Sequence, residues 1–225
     1  PYAYSFDISS NSAPNTNYIV SFNDSTPNDT IIGPFSDTTW SHNFNMSSCG
    51  TNSSSSTGTS YNNAFQCGIT ASNTCGSTSV TIAPVYVSQA VQANSAVAPN
   101  NNICQFDTIS ISNTSFSGMN TSPGSCDSTT FFYWDIQPSN GFNIINNGLL
   151  GDSGNYFIYP QSWNTGTSLL DIVLNTPGTY EIDLFIANGC GLDSVKQIIQ
   201  VNPIPIISDY QETICTGDNF DYSPV

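Results

Sequence analysis

Positive charge is almost absent. The chain has one lysine (Lys196) and no arginine, against 16 acidic residues, for a formal net charge of −15. Nucleic-acid binding needs a lysine and arginine surface that displaces counterions, so that class is excluded. Anionic membrane surfaces are disfavoured for the same reason. Histidine is nearly missing too: His42 stands alone. With no Cys-x-x-Cys pair among the seven cysteines, a structural zinc site is not expected. No apolar run approaches the roughly 20 residues of a membrane-spanning helix, so membrane insertion is not expected. Helical periodicity is lacking throughout.

What remains is polar, uncharged and strand-like. Charged residues make up 8% of the 225, so Asn, Ser and Thr must supply solubility, while aromatics at 12% argue against disorder. Alternating runs at Tyr18–Phe22, Ser79–Val87, Thr108–Ser112 and Thr179–Ile186 read as strands separated by Gly, Pro and Asn clusters. The chain opens on Pro1-Tyr-Ala-Tyr, already strand-like and without a signal peptide. The fold class is all-β, with strand spacing typical of sandwiches.

The chain repeats itself. Asn188-Gly-Cys-Gly-Leu-Asp-Ser-Val195 echoes Asn73-Thr-Cys-Gly-Ser-Thr-Ser-Val80. Each sits between two strand-like runs and reads as a hairpin turn. Ile103-Cys104-Gln-Phe-Asp107 is echoed in turn by Ile214-Cys215-Thr-Gly-Asp218. A period of about 110 residues fits one sandwich, not a solenoid unit. The expected units are residues 1–88, a sandwich lacking its first strand; residues 89–202, a complete one; and residues 203–225, the start of a third. Such ends suggest a slice from a longer tandem array.

These units resemble a family. "NTPGTYEIDLFIANGCG" (175–191) is similar to the late-strand signature of PKD and PKD-like immunoglobulin-fold repeats. "FFYWDI" (131–136) resembles their central Tyr-x-Trp strand, with Trp134 as core tryptophan and Phe132 where the tyrosine would stand. "NYIVSFNDST" (17–26) resembles the strand leading to their Asp-Gly turn, with Ser25 in place of glycine. The Asn/Ser/Thr-rich style and the Asn-x-Cys-Gly hairpins resemble giant secreted surface proteins of Bacteroidota, including gliding-motility adhesins exported by the type IX system. The resemblance implies an extracellular or cell-surface array of immunoglobulin-like domains without catalytic activity. Its partners would be neighbouring domains of the same long chain, with surface polysaccharide or other copies as further candidates.

In such a sandwich the loops after the second and before the last strand share one end. Cys126 and Cys190 would meet there, and Cys104 would lie at the far end. Disulfides suit an oxidising compartment. Cys126–Cys190 is therefore the first expected bond. Cys49 would pair with Cys75 or with a cysteine upstream of Pro1. Cys67, on an alternating strand, is equally a buried thiol or a bonded one. Cys104 and Cys215 would be equivalent positions, without an assigned partner.

Six segments of the form Asp-(Ser/Thr)-(Thr/Ile/Val) are similar to the O-glycosylation motif of extracytoplasmic Bacteroidota proteins. They place Ser25, Thr30, Thr38, Thr108, Ser128 and Ser194 as acceptors. In a eukaryotic protein Asn23, Asn28, Asn45, Asn52, Asn113 and Asn120 would be N-linked candidates instead.

Catalytic constellations are sparse. His42, beside Trp40 and Phe44, reads as structural rather than as part of a Ser-His-Asp triad. Glu181 and Asp183 alternate on one strand face, an arrangement a glycosidase pair would share but a solvated sheet face more often shows. Asp24, Asp29 and Asp37 are hard oxygen donors that could meet Ca²⁺, yet their spacing is not that of an EF-hand, and no cofactor is expected. The alternative function is an accessory or carbohydrate-binding region of a secreted enzyme, using Trp40, Trp163, Tyr156 and Tyr159. Exposure of Trp40 or Trp163 in a shallow groove would favour it; burial would favour a spacer.

Overall fold

The computed structural model describes residues 2–8, 14–33, 38–154, 160–206 and 216–217, with 2–8, 38 and 39 described through backbone pairing alone. Among these, no α-helix occurs; strands and one 3₁₀ turn (Pro160–Ser162) make up the regular structure.

The first half of the chain forms β1 (Tyr2–Ile8), β2 (Asn17–Phe22), β3 (Asp29–Ile32), β4 (Thr38–Phe44), β5 (Asn52–Ser54), β6 (Ser60–Asn62), β7 (Phe65–Asn73) and β8 (Gly76–Val85). One layer is the sheet β3-β2-β7-β8; β1 and β4 pair antiparallel in a second layer; β5 and β6 form a small hairpin. Alternation decides which side is covered. In β2, Tyr18, Val20 and Phe22 turn inward, and they meet Phe44, Phe65, Cys67, Val85 and Val87 in one core.

The second half forms β9 (Ser95–Ala98), β10 (Asn102–Cys104), β11 (Thr108–Asn113), β12 (Asn120–Ser122), β13 (Ser125–Asp127), β14 (Phe131–Gln137), β15 (Phe142–Ile144), β16 (Leu169–Leu174), β17 (Gly178–Asn188) and β18 (Gly191–Asn202). Two four-stranded sheets, β10-β18-β17-β14 and β15-β16-β11-β9, face each other. The first extended segment serves both: β9 pairs antiparallel with β11, and β10 then crosses to run parallel to β18. This is an immunoglobulin-like layout. Its core is larger than the first: Ile109, Ile111, Leu170, Ile172, Leu174, Ile182, Leu184 and Ile199 are wholly buried around Trp134 and Tyr180.

Tyr180, near the start of β17, donates its hydroxyl to the carbonyls of Gly141 (2.9 Å) and of Thr176, four residues upstream (3.2 Å). That is the tyrosine corner of immunoglobulin-like domains. The chain is thus all-β, two immunoglobulin-like sandwiches in tandem whose cores share no residue.

Candidate functional site

The two sandwiches are joined by more than a linker. Cys49, in the turn after β4, is bonded to Cys126 on β13, with the Cα atoms 5.7 Å apart. Ser48 fixes the Cys49 side. It is wholly buried, donates its amide to the Val87 carbonyl (2.9 Å), accepts from the Val87 amide (3.0 Å) and donates its hydroxyl to the Asn63 carbonyl (2.6 Å). The end of β8 and the cysteine turn therefore move as one piece.

The linker is itself stitched to the second sandwich. Gln89 and Met119 exchange both backbone hydrogen bonds (2.7 and 2.9 Å), as do Gln92 and Phe116 (3.0 and 2.9 Å). Ser88 Oγ donates to the Thr121 carbonyl and accepts from its amide. Asn188, 4% exposed, donates through Nδ2 to the Gln89 and Ser117 carbonyls. Asp193 accepts from the Ala93 amide, and Val91 is buried. Gly118 has φ +65, and a Cβ there would stand 2.3 Å from the Gln89 carbonyl oxygen, so only glycine lets the linker lie this close. Phe44, Met46 and residues 88–92 frame an open groove of about 310 Å³ beside it.

The disulfide corrects the sequence reading. Cys126 is bonded to Cys49, so neither Cys126–Cys190 nor Cys49–Cys75 forms. The turn carrying Cys190 does approach the β12–β13 hairpin, since a Cβ on Gly189 would lie 2.8 Å from Asn120 Oδ1. The hairpin, however, presents Cys126 across the junction. Cys75 is exposed at the far end of β8 from Val87, about 30 Å of strand away. Cys67 is a buried thiol, and burial pushes it up to about 11. Cys104 is exposed, and Cys215 lies outside the described residues.

The catalytic candidates are occupied structurally. His42 Nε2 meets Asp24 Oδ2 at 2.7 Å, and Asp24 Oδ1 accepts from the Thr26 hydroxyl (2.6 Å) and amide (3.1 Å). The His42 ring stacks on Phe22 at 3.7 Å. Burial pushes the Asp24 carboxyl up, but the bonds from Thr26 and His42 outweigh it and hold the group below its ordinary value. Glu181 and Asp183 flank Lys196, which pairs with Glu181 and lies 3.6 Å from Asp183; the single lysine is engaged here. Trp163 is 5% exposed and packs edge-on against Tyr133, which stacks on Phe185. Trp40 is half-buried and donates to Asp29 Oδ2 (3.2 Å). Tyr156, Tyr159 and Asp37 lie outside the described residues. Among the described residues no three metal-ligating side chains gather.

Two glycosylation candidates share a geometry. Asp24 and Asp127 each accept, through Oδ1, from the amide and hydroxyl of the threonine two residues on, leaving Ser25 and Ser128 exposed at the crest of the turn. Thr30, Thr108 and Ser194 are exposed on β3, β11 and β18; the Thr38 side chain is outside the described set.

No family model matches the chain, and no curated protein does. Similar solved structures include extracellular domains 3–5 of Drosophila OTK, at 13% identity over 64% of this chain and 41% of that one (TM-score 0.30). Domains 1–6 of the surface layer protein SbsC match at 9% identity over 86% of this chain and 21% of that one (TM-score 0.34). The titin domains Z1Z2 in complex with telethonin match at 12% identity over 64% and 63% (TM-score 0.27). The chain thus spans less than half the length of the first two. The architecture stated above rests on strand pairing and core composition.

Proposed function

We propose that this chain is a non-enzymatic structural and adhesive segment of a large, repetitive cell-surface adhesin or extracellular filament, of the PKD-like kind found in gliding-motility adhesins. The observation that carries the reading is the Cys49–Cys126 bond across the junction. Flexible linkage is the default between domains. A covalent strap beside a hydrogen-bonded linker instead fixes one domain against the next and limits how far the pair can be drawn out. The bond also supports an oxidising, extracytoplasmic setting. Burial of Trp163 and the pairing of His42 with Asp24 support a spacer over a sugar-binding or catalytic region.

Force spectroscopy tests this directly. The cysteines are 77 residues apart in sequence, and that length cannot extend while they are joined. Pulled from its ends with the bond intact, the unfolded chain should be shorter by about 26 nm than after reduction, at roughly 3.4 Å per residue. Equal contour lengths with and without reductant would remove the strap and the reading with it. In solution, Cys49→Ser should leave both cores folded while widening the distribution of end-to-end distances seen by small-angle scattering.

The same reading carries a surface modification. Native material should show added hexose-type mass on the Asp-(Ser/Thr) sites, at the turn residues Ser25 and Ser128 first, ahead of Thr30, Thr38, Thr108 and Ser194, which stand on strands rather than in the loops expected for Thr30 and Thr38. An intact mass equal to the bare polypeptide would end the glycosylation proposal and leave the scaffold untouched.

A further inference from the structure

Three Asn-Gly dipeptides occur in the chain: Asn140-Gly141, Asn147-Gly148 and Asn188-Gly189. The pair has a chemistry of its own. Glycine has no side chain to shield its amide nitrogen, and that nitrogen can attack the asparagine side-chain carbon beside it. The fold holds the three pairs differently. Asn188 is 4% exposed and engaged through both ends of its amide: Nδ2 donates to the Gln89 and Ser117 carbonyls, and Oδ1 accepts from the Cys190 amide. Asn147 is exposed, but the attacking group beside it is held. The Gly148 amide donates to Asn146 Oδ1 at 3.2 Å, and Gly148 is half-buried. Asn140 is exposed in the turn between β14 and β15. Among the described residues neither its side-chain amide nor the Gly141 N–H makes a hydrogen bond.

Gly141 is also the acceptor of the tyrosine corner. Its carbonyl takes the Tyr180 hydroxyl at 2.9 Å and the Asn175 amide at 2.7 Å. Its φ is +81, and a Cβ there would stand 2.5 Å from the Tyr180 hydroxyl oxygen. The turn is therefore pressed against the start of β17, and a change in its length is felt at the corner.

We propose that Asn140 is a self-modification site, whose reaction with Gly141 releases the tyrosine corner. The Gly141 nitrogen bonds to Asn140 Cγ. Its proton leaves, Nδ2 departs as ammonia, and a five-membered imide closes. Water then opens the imide. Addition at Cγ gives aspartate on the original main chain. Addition at the backbone carbonyl gives isoaspartate, whose main chain runs through Cβ and Cγ and is longer by one carbon, about 1.5 Å. Aspartate adds a charge at an exposed position and leaves the corner intact. Isoaspartate displaces Gly141 from Tyr180 and Asn175, and the corner loses its acceptor. The loosening is one-way and grows with time. It falls at the start of β17, the end of that strand away from the junction held by Asn188. The proposal does not rest on the tandem-scaffold reading.

Peptide mapping of the folded 225-residue chain, kept in buffer at physiological pH and sampled over time, tests it. Fragmentation separates isoaspartate from aspartate at each of the three positions. The expected result is that Asn140 converts first. Asn188 lags by about tenfold or more, because its hydrogen bonds must break before its amide can turn, and Asn147 falls between. In denaturant the three rates converge. The aged protein shows a weakened second sandwich and an unmoved first one, while Asn140→Ser aged in parallel keeps its starting stability. In Tyr180→Phe, which already lacks the corner hydroxyl, ageing costs less. Equal rates at Asn140 and Asn188 in the folded chain overturn the proposal. So does isoaspartate at position 140 with an unchanged second sandwich, or an equal loss on ageing with and without the Tyr180 hydroxyl.

Discussion

Replacing Trp134 with alanine should destabilise the second sandwich by about 3–5 kcal/mol. Trp134 is 2% exposed in the middle of β14, opposite Leu184 on β17. Its indole N–H donates to the Thr167 carbonyl at 2.9 Å, and its backbone N–H to the Leu150 carbonyl at 2.8 Å. The ring therefore does two things: it fills the space between the sheets and anchors the long β15–β16 connection. Alanine removes the ring and leaves the part-buried Thr167 carbonyl without its indole donor, and the surrounding Ile and Leu side chains, held on two ladders, can close the cavity only in part. Chemical denaturation should show two transitions, with the one belonging to the second sandwich shifted and the other unmoved. Trp134→Phe restores most of the volume but not the donor, and should recover most of the loss. A loss below about 1 kcal/mol for alanine would mean that the two sheets are not packed through this residue.

That tryptophan was placed in the core by the resemblance of Phe131–Ile136 to a Tyr-x-Trp strand. Phe131–Trp134 are four aromatics in a row, whereas Thr179–Leu184 alternates polar with large apolar residues and reads as a strand by itself, and the Asn-x-Cys-Gly turns mark where two hairpins fold back. The tyrosine corner was equally available, as Tyr180 four residues after Thr176 at a strand start, and was not read. The small hairpins β5–β6 and β12–β13 leave no such trace. They are made of small and polar residues, alternate nothing, and are fixed by tertiary contacts such as the Gln66 side chain accepting from the Ser54 amide. The disulfide was missed for a related reason. Loop positions within one sandwich follow from the fold class, so Cys126 and Cys190 could be placed near each other. The rotation of one sandwich against the next is set by Ser48, the linker and Gly118, and none of these carries an apolar period. A cysteine bond that crosses a junction is thus invisible to reasoning applied to each unit alone.

Removing the Asp24 carboxylate should cost the first sandwich about 3 kcal/mol or more, a large share for its smaller core. The Asp24 side chain is 1% exposed and that of His42 10% exposed. An ionised carboxylate is an acceptor only, so His42 Nε2 carries the proton in this bond. Asp24→Ala leaves that N–H, the Thr26 hydroxyl and the Thr26 amide without their acceptor, under a ring stacked on Phe22 and edge-on to Phe44 at 4.6 Å. Asp24→Asn keeps an oxygen for Thr26 and should cost less. The pH dependence follows from the depressed carboxyl. Because its folded value lies below the unfolded one, near 3.8, the charged form favours the folded state. That contribution is complete above the unfolded value and disappears as pH falls through the folded one. Acid titration monitored by near-ultraviolet circular dichroism should therefore show the first sandwich weakening below about pH 4. In Asp24→Asn this step should be reduced, while the second sandwich behaves alike in both proteins. An acid transition of the first sandwich that is unchanged by Asp24→Asn would show that the Asp24–His42 pair does not hold β2 to β4.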